Sequence, residues 1–312
     1  MYDSALYVAG HNGLVGSAIA RRLRADGAKH LLLRTHKELD LRRQADVERF
    51  FAEHRPLYVF LAAARVGGIQ ANSSHPAQFL RDNLQIQTNI IDAAQRFGTR
   101  KLLFLGSSCI YPRLAPQPMS EDSLLTGPLE ATNQWYAIAK IAGLKMCQAY
   151  RREFRFDAIS AMPTNLYGPG DNFSLADSHV LPALIRKCHE ARLQKADSVE
   201  VWGSGTPRRE FLHVDDLADA CVFLMKQYSD EAPINVGWGE DISIAELAER
   251  IARVVGFRGS TRFDPTRPDG TPRKLLDVSR LTRRGWRPKL PLEQGLAATY
   301  AWYRDHRQEL RT

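Results

Sequence analysis

A glycine-rich turn near the start of the chain constrains its fold more than any other stretch. The apolar run ALYVA, residues 5–9, predicts a buried strand, and it leads directly into Gly10, Gly13 and Gly16. A helix is predicted from there to about residue 25. Glycines at this spacing allow a tight turn and let the backbone approach a pyrophosphate at the N-terminus of the helix. Strand, turn and helix together predict a dinucleotide-binding βαβ unit.

Strands and helices then alternate. Further strands are predicted at residues 30–35, 58–64, 102–105 and 157–162, with helices at about 45–54, 76–97 and up to about 152. This alternation predicts an α/β fold, a Rossmann-type doubly wound parallel sheet. Beyond Pro169 the chain is richer in turns and basic residues. We therefore predict a cofactor-binding domain at 1–169, to which some later segments return, and a smaller C-terminal α/β substrate-binding domain at 170–312.

The end of the second predicted strand bears on the choice of cofactor. A carboxylate about 20 residues past the last glycine binds the ribose 2′-hydroxyl of NAD, whereas a cation suits the 2′-phosphate of NADP. This chain has Arg34 and His36 there. The basic strand end predicts NADP(H).

The fourth predicted strand carries candidate catalytic residues. It stops at Gly106, so Ser107 and Cys109 follow at the carboxyl edge of the sheet, where ligands bind in such folds. Tyr136 and Lys140 are four residues apart on a predicted helix and share one face. An ammonium next to a phenol stabilises its anion, and a serine hydroxyl can bind the oxygen that the phenol protonates. Ser107, Tyr136 and Lys140 thus resemble the catalytic triad of extended short-chain dehydrogenases/reductases.

The charge of the chain favours anionic small ligands. The net charge is +8, but the basic residues are scattered, with no long run and no interleaved aromatic residues, so no nucleic-acid partner is predicted. Cations and an exposed tryptophan on loops of the second part suit a diphosphate-linked, base-bearing substrate. These features favour a nucleotide-sugar site.

Four cysteines, at 109, 147, 188 and 221, are widely spaced without a CxxC pair, which predicts neither a metal site nor disulfides and fits a reducing cytosol. The chain enters its first strand without an apolar leader, and no apolar run approaches the length that spans a membrane. A cytoplasmic protein with no membrane partner is expected.

Sequence blocks along nearly the whole chain resemble the GDP-L-fucose synthase family, the GDP-4-keto-6-deoxy-D-mannose 3,5-epimerase/4-reductases. The blocks are GHNGLVGSA, LAAARVGGI, FLGSSCIYP, YAIAKIAG, MPTNLYGP, SHVLPALIRK, VWGSGTPRREFLHVDD and PDGTPRKLLDVSRL. The resemblance implies a cytoplasmic homodimer that uses NADP(H), with GDP-4-keto-6-deoxy-D-mannose as substrate.

The resemblance also implies roles for individual residues. It assigns reduction to Ser107, Tyr136 and Lys140, and epimerisation to Cys109 and His179. The residues that it places against NADP(H) are Gly10, Asn12, Gly13, Leu14, Val15, Gly16, Arg34, His36, Asp40, Leu41, Leu105, Gly106, Ser108, Lys140, Pro163, Asn165, Leu166 and His179. Those that it places against the GDP-sugar are Lys187, Trp202, Arg209 and Asp269.

The chain departs from the family at the cofactor. Many members have arginine where this chain has Asn12 and His36, and those arginines hold the 2′-phosphate, so a weakened preference for NADP(H) is expected. Trp135 is also bulkier than the residue expected before Tyr136.

A ketone at C4 acidifies the hydrogens at C3 and C5, so one group must remove each proton and another must return a proton to the opposite face. Cys109 and His179 are suitable residue types.

Three other functions compete with this one. A nucleotide-sugar 4,6-dehydratase needs an acidic pair after the strand-end serine, where this chain has Ser108, Cys109 and Ile110. A sister reductase that forms GDP-colitose would share nearly all of the blocks and stays open. A catalytically inactive redox sensor that binds NADP and, given the basic charge of the chain, nucleic acid would be expected to lack the Tyr and Lys that are intact here.

Overall fold

The computed structural model describes residues 1–175 and 178–308. The strands are β1 (Ala5–Ala9), β2 (His30–Leu32), β3 (Tyr58–Leu61), β4 (Lys101–Leu105), β5 (Asp157–Pro163), β6 (Asn165–Tyr167), β7 (Ser198–Trp202), β8 (Arg208–His213), β9 (Ile234–Val236), β10 (Asp241–Ser243), β11 (Ser260–Asp264) and β12 (Arg273–Lys274). The helices are α1 (Leu14–Ala25), α2 (Gln44–His54), α3 (Ile69–Ser74), α4 (Pro76–Arg96), α5 (Gln134–Phe154), α6 (Val180–Gln194), α7 (Val214–Gln227), α8 (Ile244–Val255), α9 (Ser279–Arg283) and α10 (Leu292–His306). Two short 3-10 turns lie at Ser108–Ile110 and Glu121–Ser123.

A six-stranded parallel sheet forms the centre of the protein, in the order β2-β1-β3-β4-β5-β9. Helices α1 and α7 supply apolar side chains to the core on one face, and α2, α4 and α5 supply them on the other. The central strands β3, β4 and β5 are mostly apolar because both of their faces are covered. The predicted doubly wound α/β fold is confirmed, and the strand order reverses between β1 and β3, where such sheets bind ligands.

A second group of elements follows β5. Strand β8 pairs in antiparallel fashion with β10 and in parallel with β6 and β12, while β7 and β11 form a separate parallel pair. A third apolar core lies among α6, α8 and α10, and it includes Leu184, Leu247 and Leu296. This group carries the cationic loops that the sequence assigned to a substrate.

Beyond residue 169 the chain returns to the central sheet. Helix α7 packs against α1, and β9 extends the sheet by pairing with β5. The sequence had predicted such a return without placing it, and the boundary at residue 169 remains a prediction.

Two strands are shorter than predicted. The strand predicted at 30–35 ends at Leu32, because the chain turns at Thr35, whose N–H and hydroxyl both donate to the Glu38 carboxylate at 2.7 and 2.8 Å. The strand predicted at 58–64 ends at Leu61, because Gly10 adopts a φ of +85° and the pairing with β1 stops there. Both shortened strands flank β1, so the carboxyl edge of the sheet beside the glycine turn is lined by loops and not by paired strands.

Within the described ranges 1–175 and 178–308, no helix combines the length and the apolar character needed to cross a lipid bilayer.

Candidate active site

The glycine turn forms a closely packed cradle at the end of β1. A Cβ atom on Gly10 would lie 2.7 Å from the Ala63 backbone, and one on Gly16 would lie 2.1 Å from the Gly10 carbonyl oxygen. The Gly13 N–H donates to that same carbonyl at 3.0 Å. Close approach of backbone to backbone leaves the start of α1 accessible, as a bound pyrophosphate requires.

The rest of the turn fits the same use. Asn12 and Gly13 are exposed at its tip, and Leu14 and Val15 are half-buried at the start of α1. The Nδ1 atom of His11 is buried without a hydrogen-bond partner within the described residues. A polar atom left in this state beside an open turn fits a site that binds a polar group.

The end of β2 differs from the sequence prediction in one respect. The Arg34 guanidinium lies against α2, where it contacts His54 Nε2 at 3.1 Å and stacks 5.6 Å from the centre of the Phe50 ring. Packing against α2 turns this guanidinium toward the helix, and its contact with the 2′-phosphate stays a prediction. His36, by contrast, is exposed.

Arg42 is a further cation at this edge that the sequence analysis missed. Its guanidinium lies 3.4 Å from His36 Nε2 and donates to the Asp40 carboxylate at 2.8 and 2.9 Å. This ion pair lowers the pKa of Asp40 to about 2. The Leu41 carbonyl accepts a hydrogen bond from the Asn89 amide at 2.9 Å, which ties the segment to α4.

Strand β4 delivers the next group of residues. A Cβ atom on Gly106 would lie 2.3 Å from Met162 Sδ, so only glycine fits between β4 and β5 here. Ser107 has an extended backbone, and its Oγ accepts the Cys109 N–H at 3.2 Å. This bond starts the short turn that buries Ser108 and leaves Cys109 partly exposed.

Helix α5 places Tyr136 and Lys140 beside that turn, as their spacing predicted. Burial and the Cys109 sulfur raise the pKa of Tyr136, whereas a hydrogen bond with Ser107 lowers it, and the net effect is upward. Burial lowers the pKa of Lys140 to about 7. The Lys140 Nζ donates to the Leu105 carbonyl and lies 5.8 Å from the centre of the Tyr136 ring. Its stabilisation of a phenolate stays a prediction. The phenol is neutral and holds a proton that it can donate.

The Cys109 sulfur accepts hydrogen bonds from two side chains that the sequence analysis did not select. The Asn133 amide and the Lys274 ammonium each lie 3.3 Å from Sγ. Burial raises the pKa of Cys109, but the Lys274 charge and the Ser107 hydrogen bond outweigh it, so the pKa lies below its usual value. This cysteine is suited to accept a proton.

His179 precedes α6 and acts as its N-cap residue through its backbone carbonyl, which accepts the Ala183 N–H at 3.1 Å. Its side chain makes no capping bond. Desolvation by the surrounding protein, followed by repulsion from Lys274, lowers its pKa. Lys274 therefore acts on both Cys109 and His179, which places the two candidate proton carriers around one cation.

Two cationic patches lie on the loops of the second part. In the first, the Lys187 ammonium lies 5.1 Å from the centre of the Trp202 ring, and Arg267, which the sequence did not single out, lies 4.8 Å from the same centre. In the second, the Arg209 guanidinium donates to the Asp269 carbonyl at 3.2 Å. The structure thus brings the four predicted substrate residues together in two pairs.

The side chain of Asp269 has a role of its own. Its carboxylate accepts the Ser204 N–H and the Ser204 hydroxyl, both at 2.8 Å. These two bonds hold the loop after Trp202 in place. The Asp269 carboxylate therefore positions the patch residues through the backbone of that loop. The family resemblance places Asp269 directly against the GDP-sugar, and this role stays a prediction.

The remaining predicted cofactor residues lie at the junction of the two parts. Pro163 ends β5, and Leu166 pairs with Leu212 across β6 and β8. The Asn165 amide donates to the Glu210 carbonyl at 2.8 Å. These residues join the central sheet to β8. Across residues 1–175 and 178–308, no group of three or more His, Cys, Asp or Glu side chains is arranged to hold a metal ion.

The chain is similar to known proteins along almost all of its length. The family model described as the NAD dependent epimerase/dehydratase family matches residues 6–237. A protein of Arabidopsis thaliana named putative GDP-L-fucose synthase 2 is 64% identical over 298 residues, 96% of this chain and 91% of that protein. The GDP-L-fucose synthase of Escherichia coli strain K12 is 53% identical over the full length of both chains. The GDP-L-colitose synthase of Yersinia pseudotuberculosis is 38% identical over 96% of this chain and 97% of that protein.

A solved structure extends the comparison to three dimensions. The GDP-L-fucose synthetase from Naegleria fowleri bound to NADP has a TM-score of 0.92 and 30% sequence identity, and the match covers 100% of this chain and 96% of that chain. The glycine cradle, the residues at the end of β4 and the YxxxK pair on α5 thus occur in a fold shared with these proteins over their whole length. By its sequence and its fold, the chain is a member of the NAD dependent epimerase/dehydratase family and, within it, of the GDP-L-fucose synthases.

Proposed function

We propose that this protein is a GDP-L-fucose synthase, which epimerises GDP-4-keto-6-deoxy-D-mannose at C3 and C5 and then reduces the C4 ketone with NADPH. The observation that carries this proposal is the identity of 53–64% to proteins of that name across nearly the whole chain. The convergence of Tyr136 and Cys109 on one site supports it, since the two reactions need different proton carriers at one sugar ring.

NADP(H) is the cofactor, and when bound it supplies the hydride that reduces C4. The glycine turn would hold its pyrophosphate at the N-terminus of α1, through backbone groups that lie close because Gly10 and Gly16 lack a Cβ. His36 and Arg42 would face its 2′-phosphate at the end of β2.

For the reduction, the Tyr136 hydroxyl would protonate the C4 oxygen. Burial keeps this phenol neutral, so it carries the proton that the C4 oxygen takes up as negative charge develops on it. The Ser107 hydroxyl, at the start of the turn after β4, would hydrogen-bond the same oxygen. Lys140 anchors the helix to β4 through the Leu105 carbonyl and so fixes the position of the phenol.

For the epimerisation, Cys109 and His179 would act on opposite faces of the ring. A C–H bond next to the ketone breaks as one of them takes the proton, the electron pair moves onto the C4 oxygen, and the other returns a proton to the opposite face. The lowered pKa of Cys109 favours the thiolate that can take a proton. The two side chains lie on different segments, one after β4 and one before α6, as attack from two sides requires.

The GDP-sugar would bind across the two cationic patches. Arg209 would meet the diphosphate, since a guanidinium matches phosphate oxygens. Trp202 is 42% exposed and would stack on the base, with Lys187 beside it. Asp269 would hold the loop between the two patches.

We further infer a cytoplasmic homodimer. Helices α4 and α5 pack against each other, and Trp135 and Ile138, one turn apart on α5, are exposed at 41 and 39%. An apolar pair on one face of this helix favours burial against a second copy. Light scattering would give twice the chain mass for the native protein, and Ile138→Arg would lower it.

The test of function is the reaction itself. Purified protein is mixed with NADPH and GDP-4-keto-6-deoxy-D-mannose, the loss of NADPH absorbance is followed, and the product is identified by NMR. We expect GDP-L-fucose. A chain that leaves this substrate untouched and reduces only the 3-deoxy analogue, as the similarity to the GDP-L-colitose synthase allows, would contradict the proposal.

A further inference from the structure

The Cys109 sulfur is held between two donors from distant parts of the chain. The Asn133 amide, just before α5, lies 3.3 Å from Sγ on one side, and the Lys274 ammonium on β12 lies 3.3 Å from it on another. Both groups can only donate to the sulfur through these atoms. Hydrogen bonds from an amide and an ammonium favour the thiolate form of this sulfur over the thiol, because a charged acceptor binds donors more strongly.

Strand β12 is held rigidly, so the position of Lys274 is fixed by the backbone. Lys274 pairs with Arg209 on β8, and the next residues are fastened on two sides. The Leu276 N–H donates to the buried Glu210 carboxylate at 3.0 Å, and the Asp277 N–H donates to the Met119 carbonyl at 2.9 Å. The ammonium is therefore brought to the sulfur by an ordered strand and not by a free loop.

Other groups facing the sulfur reinforce this arrangement. Arg209 on β8 is a second cation that favours the thiolate, and the Ser107 hydroxyl lies in the same turn. The Tyr136 phenol faces it from α5 and remains neutral. His179, before α6, is affected by the same ammonium, which disfavours its protonated form.

We propose that Lys274 is a positioning residue for epimerisation, whose ammonium, together with the Asn133 amide, holds Cys109 as the thiolate that removes a proton next to the C4 ketone. In that step a C–H bond breaks, an S–H bond forms and the electron pair moves onto the C4 oxygen. The inference deepens the proposed function and rests on it. It gives Lys274, in the C-terminal part of the chain, an indirect role in the epimerisation, through its contact with Cys109.

The state of the thiol can be measured without any substrate. Among the described cysteines only Cys109 is partly exposed, whereas Cys147, Cys188 and Cys221 are at most 1% exposed. The rate of alkylation by iodoacetamide, followed from pH 5 to pH 10 on the Cys109 peptide by mass spectrometry, therefore gives its pKa. In Lys274→Met we expect that pKa to rise by about one to three units, because an opposite charge at this distance has an effect of that size.

Two variants serve as controls for this measurement. Lys274→Arg keeps the charge and should recover most of the shift. Arg273→Met removes the neighbouring charge on β12, whose guanidinium pairs with Asp241, and should leave the alkylation profile unchanged. Cys109→Ser confirms which peptide carries the signal. An identical profile in Lys274→Met and wild type would overturn the proposal; if that variant does not fold, Lys274→Gln takes its place.

A second measurement links the thiol to the reaction. In deuterated buffer near neutral pH, Lys274→Met should incorporate deuterium at C3 and C5 about tenfold more slowly for each unit of thiol pKa gained, and raising the pH should restore the rate. An equal loss at every pH would contradict the proposal, since it would indicate a role in substrate binding. Because the alkylation profile needs no sugar substrate, its outcome is independent of whether the proposed GDP-L-fucose synthase activity is correct.

Discussion

The Lys140 Nζ donates a hydrogen bond to the Leu105 carbonyl oxygen over 2.7 Å. This bond joins α5 to the last residue of β4, directly before the turn that carries Ser107 and Cys109. Since Lys140 is 4% exposed, the helix cannot shift along the strand without breaking a buried polar contact. The same bond therefore fixes the position of the Tyr136 phenol, which lies one helical turn earlier.

Removal of the phenol hydroxyl tests the reduction. Tyr136→Phe should lower the rate of NADPH oxidation by 10²- to 10⁴-fold, because only the proton donor is lost, while the dissociation constant of NADPH stays close to that of wild type. Stopped-flow absorbance and fluorescence titration measure the two quantities. Tyr150→Phe removes a hydroxyl from the same helix, where it donates to Asp92, and should leave turnover unchanged. Retention of more than about a tenth of wild-type turnover in Tyr136→Phe would exclude the general-acid role.

The buried amine should make the stability of the protein depend on pH in a defined direction. The pKa of Lys140 is about 7 in the folded protein and 10.5 when unperturbed, so between these values the unfolded chain binds a proton that the folded chain lacks. The contribution of Lys140 to the free energy of unfolding therefore rises as pH increases from about 7 to 10.5. Below about pH 7 the lysine is charged in both the folded and the unfolded chain, and its destabilising effect is largest.

Lys140→Met should accordingly stabilise the protein while it lowers activity. We expect the gain in free energy of unfolding to be at least about 1 kcal/mol larger at pH 6 than at pH 9.5, measured by urea denaturation. Lys145→Met, at an exposed position of the same helix, is the matched control. A gain that does not vary with pH would show that the lysine is not buried as a costly charge.

The exposed histidine at the end of β2 should set the cofactor preference. We expect NADPH to bind more tightly than NADH, but by a smaller ratio than with arginine at this position, because a guanidinium binds phosphate oxygens more strongly than an imidazole does. His36→Arg should therefore raise the ratio of the two dissociation constants, whereas Lys37→Gln, at the next position, should leave it unchanged. The dissociation constants of NADPH and NADH are the measurement. An unchanged ratio in His36→Arg would exclude His36 from this role and leave it to Arg42.

Substitution of the cysteine should separate the two reactions. A hydroxyl is a far weaker acid and base than a thiol, so Cys109→Ser should lose deuterium incorporation at C3, at C5 or at both. Tyr136 and the ketone remain, and slow reduction to a product other than GDP-L-fucose is expected. Mass spectrometry and NMR of the product in deuterated buffer measure both effects. Normal incorporation at both carbons would remove Cys109 from the epimerisation.

Local sequence patterns predicted the parts of the site that lie within one element. The turn from Gly10 to Gly16, the strand before Gly106 and the spacing of Tyr136 and Lys140 each produce a recognisable pattern in a few residues, and the structure has them where expected. The contact of Lys140 with Leu105 could not be predicted in this way, because it depends on packing between α5 and β4.

Residues brought from a distance could not be found in this way. Lys274 lies 165 positions beyond Cys109, on a strand of two residues whose pairing with β8 has no periodicity to detect. Arg42 and Arg267 are single basic residues in a chain with many of them, and only the contacts with His36 and Trp202 distinguish them. Arg34 is the opposite case. The sequence predicts a cation at this position, but only the structure shows that its guanidinium packs against α2.

The late position of β9 and α7 in the chain has a consequence for synthesis on the ribosome. When residue 163 has been added, five strands of the central sheet exist, but the outer edge of β5 is unpaired until Val236 follows. The face that α7 covers with Leu217 and Leu224 is also bare until then. A nascent chain therefore carries an open strand edge and an apolar face over more than 50 further residues, a state prone to aggregation. The central sheet can therefore be completed only after residues 214–236 have been made, so the fold around the glycine turn depends on a segment that is synthesised late.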